Sequence, residues 1–191
     1  GFESDNNAGG SDVAPYTSAT FSNMTFIGPK LQTGVDFVNS TDFITGGAMN
    51  PNNGSALGKF QSSMQIRRSS RLNIINSLAA GWPIGLIIDG EKGDTPAQAK
   101  QGTIHYHNNV LAGMDIVGSD ANKVYEDVLY DAVNQTVLDP DQPSYSHSFF
   151  FQEALKNQYF DDVNELALTD AAKTGSPYQP AAASPLLEGA S

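Results

Sequence analysis

Three segments of this chain align on an asparagine followed five residues later by glycine, and that repetition limits the fold more than any other feature. They cover residues 21–28, 74–81 and 106–113, with Asn23, Asn76 and Asn108 in register. An apolar residue lies two positions before each asparagine (Phe21, Ile74, Tyr106), and Thr25, Leu78 or Val110 lies two positions after it. Alternation with period 2 is the signature of a strand, and the glycine marks where the chain turns. The second copy continues through Trp82-Pro83-Ile84-Gly85 into Leu86-Ile87-Ile88-Asp89-Gly90, which reads as strand, short turn and strand. A βαβ unit would need a crossover of a dozen or more residues there. Antiparallel hairpins would need Asn-Gly or Asp-Gly loops joining matched strands, and the few such dipeptides do not join any.

The fold class expected from this pattern is all-β: a right-handed parallel β-helix, a solenoid with a few short helices covering it near the C-terminus. Each rung of such a stack buries its inner face only against its neighbours. Leu72, Ile74, Leu78, Ile104, Tyr106 and Val110 are the expected inward positions. The three asparagines either stack as a side-chain ladder or are unrelated turn residues. Their spacings of 53 and 32 residues require insertions between rungs.

The whole chain, 1–191, reads as one such unit and as part of a longer protein, because it opens on Gly1-Phe2-Glu3-Ser4-Asp5-Asn6. Residues 30–62, rich in Gly, Asn, Ser and Thr, are expected to leave the coil as a loop excursion, and such loops often carry binding function. Residues 119–170 are expected to form a helical cover, with helices at 121–133, 149–159 and 162–168. Val124, Val128, Leu129 and Ala132 would share one face of the first. Such helices would shield strand edges. Residues 176–191 form an extended Pro- and Ala-rich tail.

Charge narrows the partners. Charged residues make up only 16% of the chain, and the formal net charge is −11. Nucleic acid and anionic membrane surfaces require a cationic field that this chain lacks. No apolar run is long enough to span a membrane. With no cysteine, disulfides, thiol nucleophiles and Cys-ligated metal sites are excluded.

Three blocks carry a resemblance: Gly1-Phe2-Glu3-Ser4-Asp5-Asn6, the run from Arg71-Leu72-Asn73 through Gly81-Trp82-Pro83 to Asp89-Gly90, and Ser184-Pro185-Leu186-Leu187-Glu188-Gly189-Ala190. Together they resemble the C-terminal part of uncharacterised exported proteins of Bacteroidetes-type bacteria with a pectin-lyase-like right-handed β-helix. The resemblance implies an extracellular or outer-membrane surface location in a Gram-negative cell, and no particular reaction.

Several residues are candidates for chemistry. Glu3, Asp5 and Asn7 alternate, so on a strand their oxygens share a face, and Asp12 follows; hard oxygen donors of this kind suit calcium. A solvated acidic start is the ordinary reading of the same residues. All three arginines, Arg67, Arg68 and Arg71, fall within five positions. In a polysaccharide lyase an arginine serves as base beside a calcium-bound uronate; the ordinary role is pairing with acids. His105 and His107 flank Tyr106 on one strand face, a zinc pair only if a third ligand joins them. Trp82 is either a sugar-stacking platform or a packed corner. Asp161, Asp162 and Glu165 suit the start of a helix.

Two functions follow. One is a non-catalytic extracellular or cell-surface module, a scaffold displaying loops for glycan or protein binding, whose partners are other parts of the same surface protein or a polysaccharide. The other is a fragment of a polysaccharide lyase or glycoside hydrolase acting on acidic polysaccharide, which carboxylates clustered on adjacent strands would favour.

Overall fold

The computed structural model describes residues 1–31, 37, 62–121, 126–169 and 178–188. Thirteen strands are described: β1 (Phe2–Ser4), β2 (Thr20–Ser22), β3 (Thr25–Ile27), β4 (Ser62–Arg67), β5 (Asn73–Ile75), β6 (Leu78–Ala80), β7 (Ile84–Asp89), β8 (Tyr106–His107), β9 (Val110–Ala112), β10 (Ile116–Ser119), β11 (Leu129–Asp131), β12 (Thr136–Asp139) and β13 (Gln158–Phe160). The first ten visit three parallel sheets in rotation. The first sheet runs β1-β4-β7-β10, the second β2-β5-β8 and the third β3-β6-β9-β13. Register aligns the repeats residue for residue, with Phe21 beside Ile74 and Ile74 beside Tyr106.

The expected all-β, right-handed parallel β-helix is corrected by this structure, which is mixed α/β. Among the described residues the three sheets stay separate, with no hydrogen-bonded ladder closing them into one solenoid, and β11-β12 form an antiparallel pair. Among the described residues two α-helices, α1 (Thr95–Lys100) and α2 (Tyr145–Phe150), are accompanied by short 3-10 turns. Helix α2 belongs to the core, because Phe149 and Phe150 are buried among Ile74, Tyr106 and Leu111. The strands are two to six residues long because residues with positive φ cut them short.

Those breaks explain the repeat. Asn23, Asn76 and Asn108 sit at φ 56°, 51° and 55°, each between a strand of the second sheet and one of the third. Asparagine tolerates this left-handed region better than most residues. The glycine five positions on is needed for contact. A Cβ on Gly28 would collide with the carbonyl of Gly81, and one on Gly81 (φ 70°) with the Leu31 side chain.

The asparagine ladder is displaced by one residue. The side chains of Asn23, Asn76 and Asn108 are exposed, and the stacked bonds come from their successors. The Ser77 hydroxyl accepts from Met24 N–H at 3.1 Å, Asn109 Oδ1 accepts from Ser77 N–H at 3.0 Å, and Asn157 Oδ1 accepts from Asn109 N–H at 2.9 Å. The left-handed residue also resets the alternation. Leu72, Ile74, Ile104 and Tyr106 are buried in the main core as expected. Leu78 and Val110 instead point to the opposite face of the third sheet, where they pack with Ala80, Ala112 and Leu166.

The C-terminal half departs most from expectation. A helix running on to Val133 is excluded by strand β11, because Asp131 accepts hydrogen bonds from the N–H groups of Val133 and Asn134 and folds a tight turn into β12; residues 122–125 of the expected helix lie outside the described residues. Local side-chain bonding of this kind outcompetes a helix. The helix expected at 149–159 begins earlier, at Tyr145, capped by Ser144. It stops at Phe150, ahead of a 3-10 turn (Glu153–Leu155) and β13. The third becomes a 3-10 turn, Val163–Leu166, with Asp162 and Glu165 forming a capping box. Residues 178–188 of the tail pack back, Ser184 Oγ donating to the Leu166 carbonyl. The excursion at 30–62 lies almost wholly outside the described residues.

Candidate functional site

The acids read as calcium candidates and the arginine cluster are each other's partners. Arg67 reaches Glu3 at 3.0 Å and Asp5 at 3.1 Å, Arg68 reaches Asp5 at 2.8 Å, and Arg71 reaches Asp12 at 2.9 Å. The parallel register of β1 on β4 brings them together, since it sets Glu3 beside Gln65 and Ser4 beside Ile66. Arg71 also lies 3.6 Å over the Tyr16 ring, and Asp12 accepts from Gln98. Asn7 turns away from these acids, accepting from Gly9 N–H and donating to the Ser11 carbonyl. The arginines thus supply the positive charge for the three carboxylates, and among the described residues no cluster of His, Cys, Asp or Glu is arranged to hold a metal ion.

His105 and His107 share a face, rings stacked at 5.8 Å, with Tyr106 buried on the other side. Burial, then the neighbouring His105, pushes the His107 pKa down. Trp82 is a buried corner whose indole N–H donates to the Phe26 carbonyl at 3.2 Å.

The structure brings together one grouping that sequence reading did not single out. Ser144, His147 and Asp127 meet at the start of α2. The arrangement suits a cap and not a nucleophile, because the buried Ser144 hydroxyl donates to Asp127 at 2.6 Å while accepting from His147 N–H. The imidazole approaches Asp127, at 3.7 Å, and not the serine. Burial raises the Asp127 pKa against the lowering effect of Ser144 and His147. Asp120 completes the cap by accepting from Tyr145 N–H, Ser146 N–H and Ser146 Oγ.

Among the described residues, a groove with a volume of about 590 Å³ at the edge of the third sheet is shaped to take a ligand. Its floor is apolar, from Leu31, Met114, Val163 and Leu168, and its rim is Lys30, Asp161, Asp162, Asn164, Thr169 and Tyr178. It exists because the glycine corners let two stretches approach: Gly113, at φ 62°, has Val163 packed where a Cβ would go. Lys30 is anchored across the groove by Asp115 and, at 3.0 Å, by the Gly113 carbonyl. Tyr159 lies beneath, its phenol within 3.4 Å of the Met114 carbonyl. Its pKa is raised by burial and then by the charge of Asp161. Sequence reading gave Asp161 and Asp162 only a capping role and assigned Lys30 to the excursion. Only the folding of the third sheet's strand ends places them together.

No family model matches the chain, and no curated protein or solved structure matches it either. Among the described residues no helix is long and apolar enough to cross a membrane.

Proposed function

We propose that the chain is a non-catalytic module of an exported protein, presented extracellularly or at the outer-membrane surface of a Gram-negative bacterium. It acts as a rigid scaffold that binds glycan. The observation that carries this reading is the groove of about 590 Å³ set at the edge of a packed sheet. Its size falls within the range of roughly 300–1,000 Å³ usual for small-ligand sites. An apolar floor with a tyrosine and neutral and charged polar groups at the rim suits the two sides of a sugar ring. The groups from which lyase chemistry would be built have other work. Arg67, Arg68 and Arg71 are held by Glu3, Asp5 and Asp12 on a different part of the molecule, so none is poised over this groove. Other parts of the same surface protein are the expected macromolecular partners.

The test combines binding with turnover. Purified chain is titrated with neutral and acidic oligosaccharides in the presence of calcium, while reducing ends and unsaturated-uronate absorbance are followed. The expected result is saturable binding without product. Turnover abolished by Arg68→Ala, with circular dichroism unchanged, would replace the scaffold reading with the lyase.

A further inference from the structure

We infer that the groove between the Gly113 corner and the Val163–Leu166 turn selects oligosaccharides bearing a protonated amine and rejects uronates. This rests on the glycan-binding reading above and names the ligand class for the same site. The argument is one of charge at the rim. Among the described residues the cationic group of the lining is Lys30, and its ammonium is already engaged by Asp115 and the Gly113 carbonyl. A uronate carboxylate entering here would have to displace Asp115 to reach it. Two carboxylates, Asp161 and Asp162, line the same groove. Asp162 accepts from Asn164 N–H at 2.8 Å and Asn164 Nδ2 at 2.9 Å, which fixes its position without supplying a cation. Asp161 is exposed, and no arginine or lysine is paired with it among the described residues.

A ligand ammonium entering the groove beside these carboxylates is therefore attracted, and a ligand carboxylate is repelled by them and by the formal net charge of −11. The half-buried Tyr159 phenol, its pKa raised by burial and then by the charge and hydrogen bond of Asp161, adds no positive charge to the groove. The apolar floor of Leu31, Met114, Val163 and Leu168 accepts the less polar face of a sugar ring, while Asn164 and Thr169 provide neutral partners for hydroxyls. Among sugars of equal length, an amino sugar satisfies both the floor and the rim.

Calorimetric titration of the intact chain at low salt, with tetramers of glucosamine, N-acetylglucosamine, glucose and galacturonate, tests this. The expected order is glucosamine tightest and galacturonate weakest. The gap should close in about 1 M salt, where the Debye length falls to about 3 Å. Asp161→Asn, on an exposed side chain whose replacement leaves the fold intact by circular dichroism, should weaken the glucosamine tetramer about two- to five-fold, the range for one exposed ion pair. The glucose tetramer, which brings no ammonium, should lose less affinity than the glucosamine tetramer. Galacturonate binding as tightly as glucosamine, or a glucosamine affinity indifferent to both salt and Asp161→Asn, would overturn the inference while the glycan-binding reading stands. Failure of all four tetramers to bind at millimolar concentration would overturn both.

Discussion

Replacing Asn109 by alanine should destabilise the chain far more than the same change at Asn108, although Asn108 is the residue that the sequence repeat aligns. Asn109 is 2% exposed. Its Oδ1 accepts from Ser77 N–H and its Nδ2 donates to the Ile74 carbonyl, both at 3.0 Å. A backbone N–H can only donate and a carbonyl only accept, so the pair also fixes the orientation of the amide. Truncation removes both bonds and strands two buried backbone groups. At about 1–3 kcal/mol for each orphaned group, the cost is about 2–6 kcal/mol. For a chain of this length, at about 2–4 °C per kcal/mol, that corresponds to a Tm lowered by about 4–24 °C. Asn108, exposed at φ 55°, loses only its tolerance of the left-handed region, at most about 1 kcal/mol, and Asn108→Gly should restore it. Thermal unfolding followed by circular dichroism compares the three variants. Equal losses for Asn108→Ala and Asn109→Ala, or a loss under about 0.5 kcal/mol for Asn109→Ala, would refute the displaced ladder.

Asp120→Ala removes the acceptor for Tyr145 N–H, Ser146 N–H and Ser146 Oγ, so the cap of α2 should loosen; a Tm loss of about 6–12 °C and faster amide exchange over residues 145–150 are expected. Burial raises the Asp89 pKa, so at pH values between the unfolded and folded pKa the folded state holds a proton that the unfolded state has released. Its contribution to stability is therefore greatest below the unfolded value of 3.8 and falls as pH rises through the folded value. Asp89→Asn should flatten that slope, and its Tm relative to wild type should be higher at pH 7 than at pH 3.5. Millimolar calcium should leave Tm unchanged, because Glu3, Asp5 and Asp12 already face arginines; a rise lost in Asp5→Asn would assign a calcium site there.

Much of the chain's order was legible in its sequence. The Asn-to-Gly spacing located six strands and their parallel register, because a left-handed corner and a close backbone approach each demand a particular residue. The phase of burial was lost at the same corners. A residue with φ near 55° reverses which face the next side chain takes, so Leu78 and Val110 left the core that Ile74 and Tyr106 entered. The helix expected at 121–133 does not run on to Val133 because one carboxylate, Asp131, can terminate an apolar pattern without altering it. The all-β assignment failed for a related reason. Nothing in Phe149-Phe150 distinguishes a surface helix from one that plugs the end of a core. The ion pairs were legible as components and not as pairs: Glu3, Asp5 and Asp12 lie some sixty residues from Arg67, Arg68 and Arg71, and only the stacking of β1 on β4 joins them. The groove was least visible, since Lys30, Gly113, Asp161 and Tyr178 come from four separate stretches.

The central claim is that this groove binds a sugar without altering it. Backbone amide chemical shifts of the isotope-labelled chain, recorded during titration with glucosamine tetramer and followed by mass spectrometry of the recovered ligand, test it most directly. Shifts concentrated at Lys30, Gly113, Asp161, Asn164 and Tyr178, with the tetramer recovered intact, are the predicted result. Shifts centred on Arg67, Arg68 and Arg71, or a shortened or dehydrated tetramer, would contradict it.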